Sequence, residues 1–415
     1  MNEVDVCVVG GGAAGLAAAI EAKENGAERV VVLDRNEELG GILPQCIHTG
    51  FGLHYFRENL TGPEYVTRFI NKARQVEIGC KLETMVLDLK PTREILAVNQ
   101  KDGLFKLRAK SLVLAMGCRE KARGALRIPG TRPAGIFTAG AAQRFMDIEG
   151  YLPGRRVVIL GSGDVGLIMA RRLAMEGAEV EAVVEMLPYA GGLQRNVVQC
   201  LQDFNIPLML NHTATLVQGT NRVEAVTVAE VDDTRKPLPN SERTIECDTL
   251  ILSVGLIPEN ELSEAAGAVL DPSTGGPIVD EDMQTTVPGV FACGNVVQVQ
   301  DLVDHVTALG ELAGKSAAEY AQHRLTPLRK RVAMRAGLNV RNVVPQIISG
   351  EKTVRLQIRV GKPLKNVTVR VGGFSMPRRI VRPPEMVTYS MDGERLKELG
   401  VIEELVVKVE GEETP

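Results

Sequence analysis

Two glycine-rich turns about 150 residues apart constrain this chain more than any other feature it has. The first sets Gly10, Gly12 and Gly15 in VDVCVVGGGAAGLAAAIEA, and the second sets Gly161, Gly163 and Gly166 in RRVVILGSGDVGLIMARRLA. Each follows an apolar run that reads as a strand and opens an Ala-rich run that reads as a helix. In that setting the first glycine permits a tight turn, the second lets the backbone approach a pyrophosphate, and the third lets helix pack on strand. The helix N-terminus, with Ala13 and Ala14 in one turn and Asp164 and Val165 in the other, would face the phosphates with its positive dipole end. An acidic residue closing the next strand, suited to ribose hydroxyls, follows in both: Asp34 in RVVVLDR and Glu185 in VEAVVEM. The chain therefore reads as holding two dinucleotides.

At about 150 residues per domain, 415 residues suggest two or three domains. The stretch from Glu37 to Tyr65 has no sustained period and is rich in turn formers, the kind of segment in which function often sits. A helix is expected from about Gly62, then short strands near Lys81 to Leu89, Ile95 to Asn99 and Leu104 to Arg108. A separate strand, SLVLAMG, follows. Residues from about Pro153 to Val254 form a second complete unit, whose closing strand DTLILSVG repeats the form of LVLAMG. After it come TTVPGVFACGN and a helix from about Asp301. The simplest organisation is an insertion of the second nucleotide fold into the first.

The fold class that results is α/β: two Rossmann-like three-layer dinucleotide-binding domains, one inserted in the other, plus a small mainly β C-terminal domain. The expected boundaries are 1–120 and 255–325 for the outer domain, 121–254 for the inserted one and 326–415 for the β domain. VRLQIRV, NVTVRVG, PRRIVR, MVTYSM and ELVVKVE supply its strands, and GERLKELG a short helix. Its charge is uneven, with fourteen Lys or Arg and one acid from Arg329 to Arg382, then three basic and nine acidic residues to the end. Arg355, Arg359 and their like read as the solvated face of alternating strands or as a docking face for an acidic partner. Nucleic acid is disfavoured by the net charge of −4 and by the lack of interleaved aromatics.

Seven cysteines without a C-x-x-C pair argue against a disulfide framework, a zinc site or a cluster held by this chain alone, so no metal is expected. Most of the cysteines read as small buried hydrophobes. No apolar run reaches the roughly 18 residues of a membrane span, and the chain opens directly into a strand without a charged leader. Those features point to a cytoplasmic protein with no integral membrane segment.

Taken together, VVGGGAAGLAAA with Asp34, the LGG ending at Gly41, LAMG with Ala115 and Gly117, GSGDVG with Glu185, LSVG with Gly255, and TTVPGVFACGN resemble the two-dinucleotide flavoproteins of the pyridine nucleotide-disulfide oxidoreductase superfamily. The resemblance covers about the first 325 residues. It implies FAD in the outer fold, with Arg35 beside Asp34, and NAD(P)H in the inserted fold. It places Gly294 and Asn295 at the flavin ribityl chain, where the superfamily usually has Asp; an Asn oxygen still accepts that bond. By the same resemblance the backbone of Asp301, Leu302 and Val303 lies at the flavin pyrimidine edge, where a positive helix end stabilises a reduced, anionic flavin.

The dithiol of the disulfide reductases is missing. Only Cys46 lies in the expected neighbourhood, and it reads either as packing near the flavin or as a single thiol working beside His48. GGILPQCIHTGFGL, AMGCRE, GTRPAGIFTAGAAQ and CGNVVQVQDLVDHV resemble the branch of NAD/FAD oxidoreductases associated with anaerobic glycerol-3-phosphate dehydrogenases and the flavoprotein subunits of opine, proline and cyanide-forming dehydrogenases. That branch implies hydride transfer between NADH and FAD, with electrons exchanged with a flavoprotein or iron–sulfur partner subunit, in a homodimer or hetero-oligomer. Glu185 favours NADH over NADPH, although Arg171 and Arg172 stand on the neighbouring helix. His48 and His305 are candidates for proton work, or structural histidines. A stand-alone NADH oxidase, peroxidase or single-thiol disulfide reductase and a non-catalytic FAD-bearing scaffold or sensor are the rival readings.

Overall fold

A computed structural model describes residues 2–398 and 403–413. The chain divides into two compact units, Met1–Cys118 with Pro258–Pro415, and Arg119–Ile257.

The first unit opens with β1 (Asn2–Val9), α1 (Ala13–Glu24) and β2 (Val30–Leu33). α2 (Gly62–Gln75) follows, begun by a capping box in which the Thr61 side chain and Glu64 satisfy each other's backbone N–H. β3 (Gly79–Lys81) and β4 (Gly103–Leu114) complete the parallel core, in the order β3, β2, β1, β4. β4 is one continuous strand where two were expected. Its first half, alternately exposed and buried, pairs antiparallel with Glu94–Asn99, and its second half is wholly buried in the parallel sheet. That change of burial period resembles a break when only the sequence is seen.

The second unit is a five-stranded parallel sheet with a three-stranded antiparallel sheet beside it. In chain order its parallel strands are β5 (Ile136–Thr138), β6 (Arg156–Leu160), β7 (Glu179–Val184), β8 (Leu208–Met209) and β9 (Thr249–Leu252). α3 (Asp164–Met175) joins β6 to β7, and the spatial order is β5, β9, β6, β7, β8. β6, which leads into the second glycine turn, thus lies at the point where the strand order reverses, and β1 does the same in the first unit. Crevices at such points are where open α/β sheets bind ligands.

The chain then returns to the first unit. β10 (Val290–Ala292) pairs with the end of β4, and α4 (Val303–Ala321) packs on α1. A Cβ on Gly310 would stand 2.3 Å from Ala14 O, and one on Gly314 2.1 Å from Ala18 O, so the two backbones meet with nothing between them. α4 starts at Val303, two residues after the expected Asp301, because Leu302 is extended and serves as its N-cap. Beyond α4 lie two antiparallel-rich sheets around their own apolar core, which includes Leu356, Ile358, Val369 and Val407. Part of the short C-terminal helix expected over Gly393–Gly400 lies outside the described residues; Gly393–Glu398 is helical.

Part of the charge asymmetry of this β region is resolved within it. Strand Glu404–Glu413 runs antiparallel to Leu364–Val371, pairing Arg370 with Glu410 and Lys365 with Glu412, while Lys362 pairs with Glu413 and Arg335 with Glu404. The acidic end of the chain thus pairs with four of the basic residues that precede it. Among the described residues no helix is long and apolar enough to cross a membrane.

Candidate functional site

The glycines of the two turns separate into those the protein needs and those a ligand would need. A Cβ on Gly10 would sit 2.4 Å from Ala115 O, and one on Gly15 1.8 Å from Gly10 O. In the second turn, Gly161 would meet Ser253 O at 2.1 Å and Gly166 would meet Ser253 Cβ at 2.6 Å. The middle glycines differ. The nearest protein atom to a Cβ on Gly12 is 3.7 Å away, and on Gly163 it is 3.3 Å away. Gly12 and Gly163 are also the N-caps of α1 and α3, and neither helix has a side chain capping its first turn. Uncapped helix N–H groups at both turns, with ordinary contact distance at Gly12 and a closer approach to Ser253 at Gly163, fit a pyrophosphate.

The two acids are built into matching networks. Gly11 N–H donates to Asp34 Oδ2 (2.6 Å) and Asn36 N–H to Asp34 Oδ1 (2.8 Å). In the second turn, Ser162 N–H donates to Glu185 Oε2 (2.9 Å) and Leu187 N–H to Glu185 Oε1 (2.9 Å). In both, the acid lies 23 residues after the turn residue it holds. A carboxylate has about four acceptor positions; Asp34 keeps two of them for a ribose diol, whereas Glu185, which also accepts from Ser162 Oγ (2.5 Å), keeps one. Arg35 is largely exposed and stands 4.0 Å from Glu259.

Other expected contact residues are more varied. Asp164 does not point away from the fold: its Oδ1 accepts from Leu193 N–H (2.8 Å) and Asn196 Nδ2 (2.6 Å), anchoring the loop after β7. Val165 is half-buried in the first turn of α3. Gly41 stands over the first turn, its Cβ position 3.0 Å from Gly12 Cα. Ala115 N–H is spent on Val9 O (2.8 Å). Gly117 and Gly255 both have positive φ, and a methyl on either would meet no atom within 4 Å, so each leaves room at the end of its strand. Gly294 touches Ala14 at the base of α1. Asn295 Oδ1 accepts from Gln300 N–H (2.9 Å) and its Nδ2 reaches Cys118 Sγ (3.6 Å), leaving the oxygen a second lone pair.

At the start of α4 the side chain of Asp301 is engaged, where a backbone role had been expected. Its Oδ2 accepts from Met386 N–H (3.0 Å) and its Oδ1 lies 3.7 Å from His305 Nδ1. Burial works against the charge on Asp301, but His305, the Met386 amide and Arg359 hold its pKa below the ordinary carboxylate value. Leu302 O accepts the first helical N–H groups, from His305 and Val306. Among the described residues, seven buried side-chain N or O atoms have no hydrogen-bond partner, and Gln298 Oε1, Gln300 Oε1, Asp301 Oδ1 and His305 Nδ1 are four of them. Orphaned polar atoms concentrated beside Asn295 suit a polar group such as a flavin ring edge.

Cys46 is buried, and its thiol donates to Ile42 O (3.4 Å). His48 is half-buried, with Nδ1 3.1 Å from Thr49 O and its ring near Phe51. The segment that carries them is tied to α4: His54 and Tyr55 donate their N–H groups to Asp304 (3.4 and 3.3 Å), and buried Tyr65 bonds Thr307 (2.7 Å). Of the seven cysteines, five are buried, Cys118 is intermediate and Cys80 is exposed. Among the described residues no cluster of three or more His, Cys, Asp or Glu could hold a metal ion.

Reading the sequence missed Asn342, Gln357 and Arg359. On strand Val354–Val360 the even positions are buried in the β-region core, so alternation alone sends Arg355 and Arg359 to solvent or to an acidic partner and says nothing of Gln357 between them. Gln357 is in fact 4% exposed, and Arg359 donates to three carbonyls, those of Val299, Pro383 and Pro384. A glutamine between two arginines on an alternating strand was the one available sign.

The chain has relatives among known proteins. It is 27% identical over 333 residues to an opine oxidase subunit of Agrobacterium tumefaciens, covering 74% of this chain and 65% of the relative. It is 27% identical over 311 residues to the NAD(P)H sulfur oxidoreductase (CoA-dependent) of Pyrococcus abyssi, covering 72% and 64%. The chain thus spans slightly less than two thirds of the length of these relatives. Among solved structures, the thioredoxin reductase of T. acidophilum superposes with a TM-score of 0.64 at 25% identity, covering 78% of this chain and 99% of that one. The family model for pyridine nucleotide-disulphide oxidoreductases, enzymes that use FAD and NAD(P)H, matches residues 4–346. This chain, with its two glycine turns, paired acids and duplicated nucleotide folds, belongs to the pyridine nucleotide-disulphide oxidoreductase family.

Proposed function

We propose that the chain binds FAD at the first glycine turn and NAD(H) at the second, transfers hydride between them, and exchanges electrons with a partner subunit of a glycerol-3-phosphate or amino-acid dehydrogenase complex. The duplicated network of open middle glycine, uncapped helix and backbone-locked acid carries the reading. FAD, when bound, supplies the ability to take a hydride from NADH and release its electrons one at a time. The chain's own task is to align the two nucleotides and exclude water, which needs few ionisable groups. Asn295 and the start of α4 would face the flavin; Glu185 would take the NADH ribose diol.

NADH rather than NADPH is supported by the surroundings of Glu185. Arg172 is spent on Asp147 (2.9 Å) and Glu176 (2.6 Å), and Arg171 lies over the Phe204 ring, so both are committed to neighbours on and around α3. The partner is supported by the opine oxidase relative's being named as one subunit of its enzyme and by the absence of a dithiol in this sequence. A single-thiol reaction at Cys46 is the second reading, favoured by the likeness to a sulfur oxidoreductase. The two readings part on turnover of the isolated FAD-loaded chain with NADH and a panel of small acceptors. Slow turnover that is unchanged in Cys46→Ser supports the electron-transfer role. Fast turnover of a thiol or persulfide acceptor, lost in Cys46→Ser, overturns it.

A further inference from the structure

In the segment linking the Cys-Gly-Asn turn to α4, every residue from 298 to 301 is held by the C-terminal β region. Gln298 Nε2 donates to Asn342 Oδ1, and Arg359 Nη2 donates to Val299 O (2.7 Å). Gln300 Nε2 donates to Gln357 Oε1 (2.8 Å), and Met386 N–H donates to Asp301 Oδ2 (3.0 Å). Arg359 also donates to Pro383 O and Pro384 O (2.9 and 2.6 Å), fixing the loop that presents Met386. Asn342 and Arg359 face each other in register on adjacent strands, and Gln357 lies two residues from Arg359 on the same face. One sheet face and the loop that Arg359 fixes therefore grip four consecutive residues.

Beside these contacts Gln298 Oε1 and Gln300 Oε1 are buried without a hydrogen-bond partner, and Asp301 Oδ1 and His305 Nδ1 face each other at 3.7 Å, beyond hydrogen-bond length. A contact that served only to glue the β region in place would have no reason to leave two buried amide oxygens of the gripped segment, those of Gln298 and Gln300, without a partner, because an unsatisfied buried acceptor is costly. They are available to a polar group the protein does not itself supply.

We infer that the C-terminal β region is an intrachain clamp that sets the geometry of the flavin edge, with Arg359 as its principal positioning residue. The inference rests on the reading of the first glycine turn as the FAD site. It gives the region a task other than docking an acidic partner. Arg359 suits that task because its planar fork can bond three carbonyls at once, which a lysine ammonium on a flexible stem does not reproduce.

The test uses the full chain loaded with FAD and compares wild type, Arg359→Lys, Gln357→Ala and Arg370→Ala. The last removes an exposed ion pair on the same β region, and is the control. If wild type retains no FAD, the cofactor reading itself fails, and the clamp with it. Given FAD in wild type, Arg359→Lys and Gln357→Ala are expected to release FAD about tenfold faster and to shift the visible flavin band and the flavin midpoint potential. Their binding of NADH, followed by nicotinamide fluorescence, stays unchanged, and Arg370→Ala behaves as wild type. Because Arg359→Lys could also loosen the fold, the cycle formed by Gln300→Ala, Gln357→Ala and the double variant provides the second measurement: effects on FAD release that fall short of additive support a shared contact. Folded variants with wild-type flavin spectrum, potential and release rate, or fully additive effects in the cycle, overturn the clamp.

Discussion

Gly12 and Gly163 are the residues at which folding and ligand binding come apart. Because the nearest protein atom to a methyl on Gly12 is at an ordinary contact distance of 3.7 Å, Gly12→Ala is expected to melt within a few degrees of wild type. The same methyl would occupy the phosphate approach, so FAD affinity should fall about 10- to 100-fold, or ~1.4–2.8 kcal/mol, while NADH affinity is kept. Gly163→Ala should lose NADH affinity and keep FAD affinity, with a larger drop in melting temperature than Gly12→Ala because Ser253 must give way at 3.3 Å, and equilibrium binding of both nucleotides to both variants checks the pair. Gly15→Ala, by contrast, would drive its methyl into Gly10 O and should lose stability and binding together.

A second residue-scale expectation concerns Asp280, 5% exposed, whose Oδ1 accepts the N–H groups of Asp282 and Gln284. Burial, with Asp282 and Glu281 nearby, pushes its pKa up from 3.8 to about 6. A carboxyl whose pKa is higher folded than unfolded adds stability below its unfolded pKa and loses that addition as pH rises through the folded value. The wild type should therefore lose up to ~3 kcal/mol relative to Asp280→Asn between about pH 4 and pH 7, as ~2 pKa units imply. Denaturant unfolding of the two proteins across that range gives the answer; a constant difference would contradict the assignment.

At the scale of elements, the contact of α1 with α4 joins the first glycine turn to the helix that starts at Asn295's loop. Gly310 and Gly314 let the helices touch at Ala14 and Ala18, so Gly314→Val should cost about 1–3 kcal/mol by overpacking. It should weaken FAD binding as well, since Ala14 belongs to the turn; urea unfolding with a parallel FAD titration reads both. The sequence made these elements legible where a local rule was strict. G-x-G-x-x-G after an apolar strand, followed by an acid 23 residues on, located β1, α1, β6 and α3, along with Asp34 and Glu185. It failed where the environment was set at long range. Nothing local in VRLQIRV says that the polar face of that strand meets residues 298–301 rather than water, because alternation reports which face is apolar and not what covers the other. Likewise Asp301 reads as a helix-start residue until Met386, 85 positions later, takes its carboxylate.

For the whole molecule, the two units share a plan: a glycine turn at the reversal of a parallel sheet, locked by the acid that closes the next strand. The family to which the chain belongs couples such a pair of folds through FAD and NAD(P)H. This chain has no C-x-x-C pair, and its β region holds four ion pairs between its own strands and loops. Those surface pairs, each worth at most about 1 kcal/mol, are not what holds the region; its apolar core and its grip on residues 298–301 are. A partner protein would accordingly be recognised elsewhere than through Arg335, Lys362, Lys365 or Arg370, and reversing the charge of any of these should leave assembly of the native complex unchanged, as measured by co-purification.

The central claim is that both nucleotides belong to one electron path within this chain. It is tested most directly by mixing the FAD-loaded protein with NADH in the absence of oxygen and following the visible flavin absorbance. The account predicts that the flavin bleaches in a single turnover at one NADH per FAD, and that Gly163→Ala slows the bleaching at limiting NADH without releasing FAD. A protein that binds both nucleotides while its flavin colour stays unchanged would contradict it.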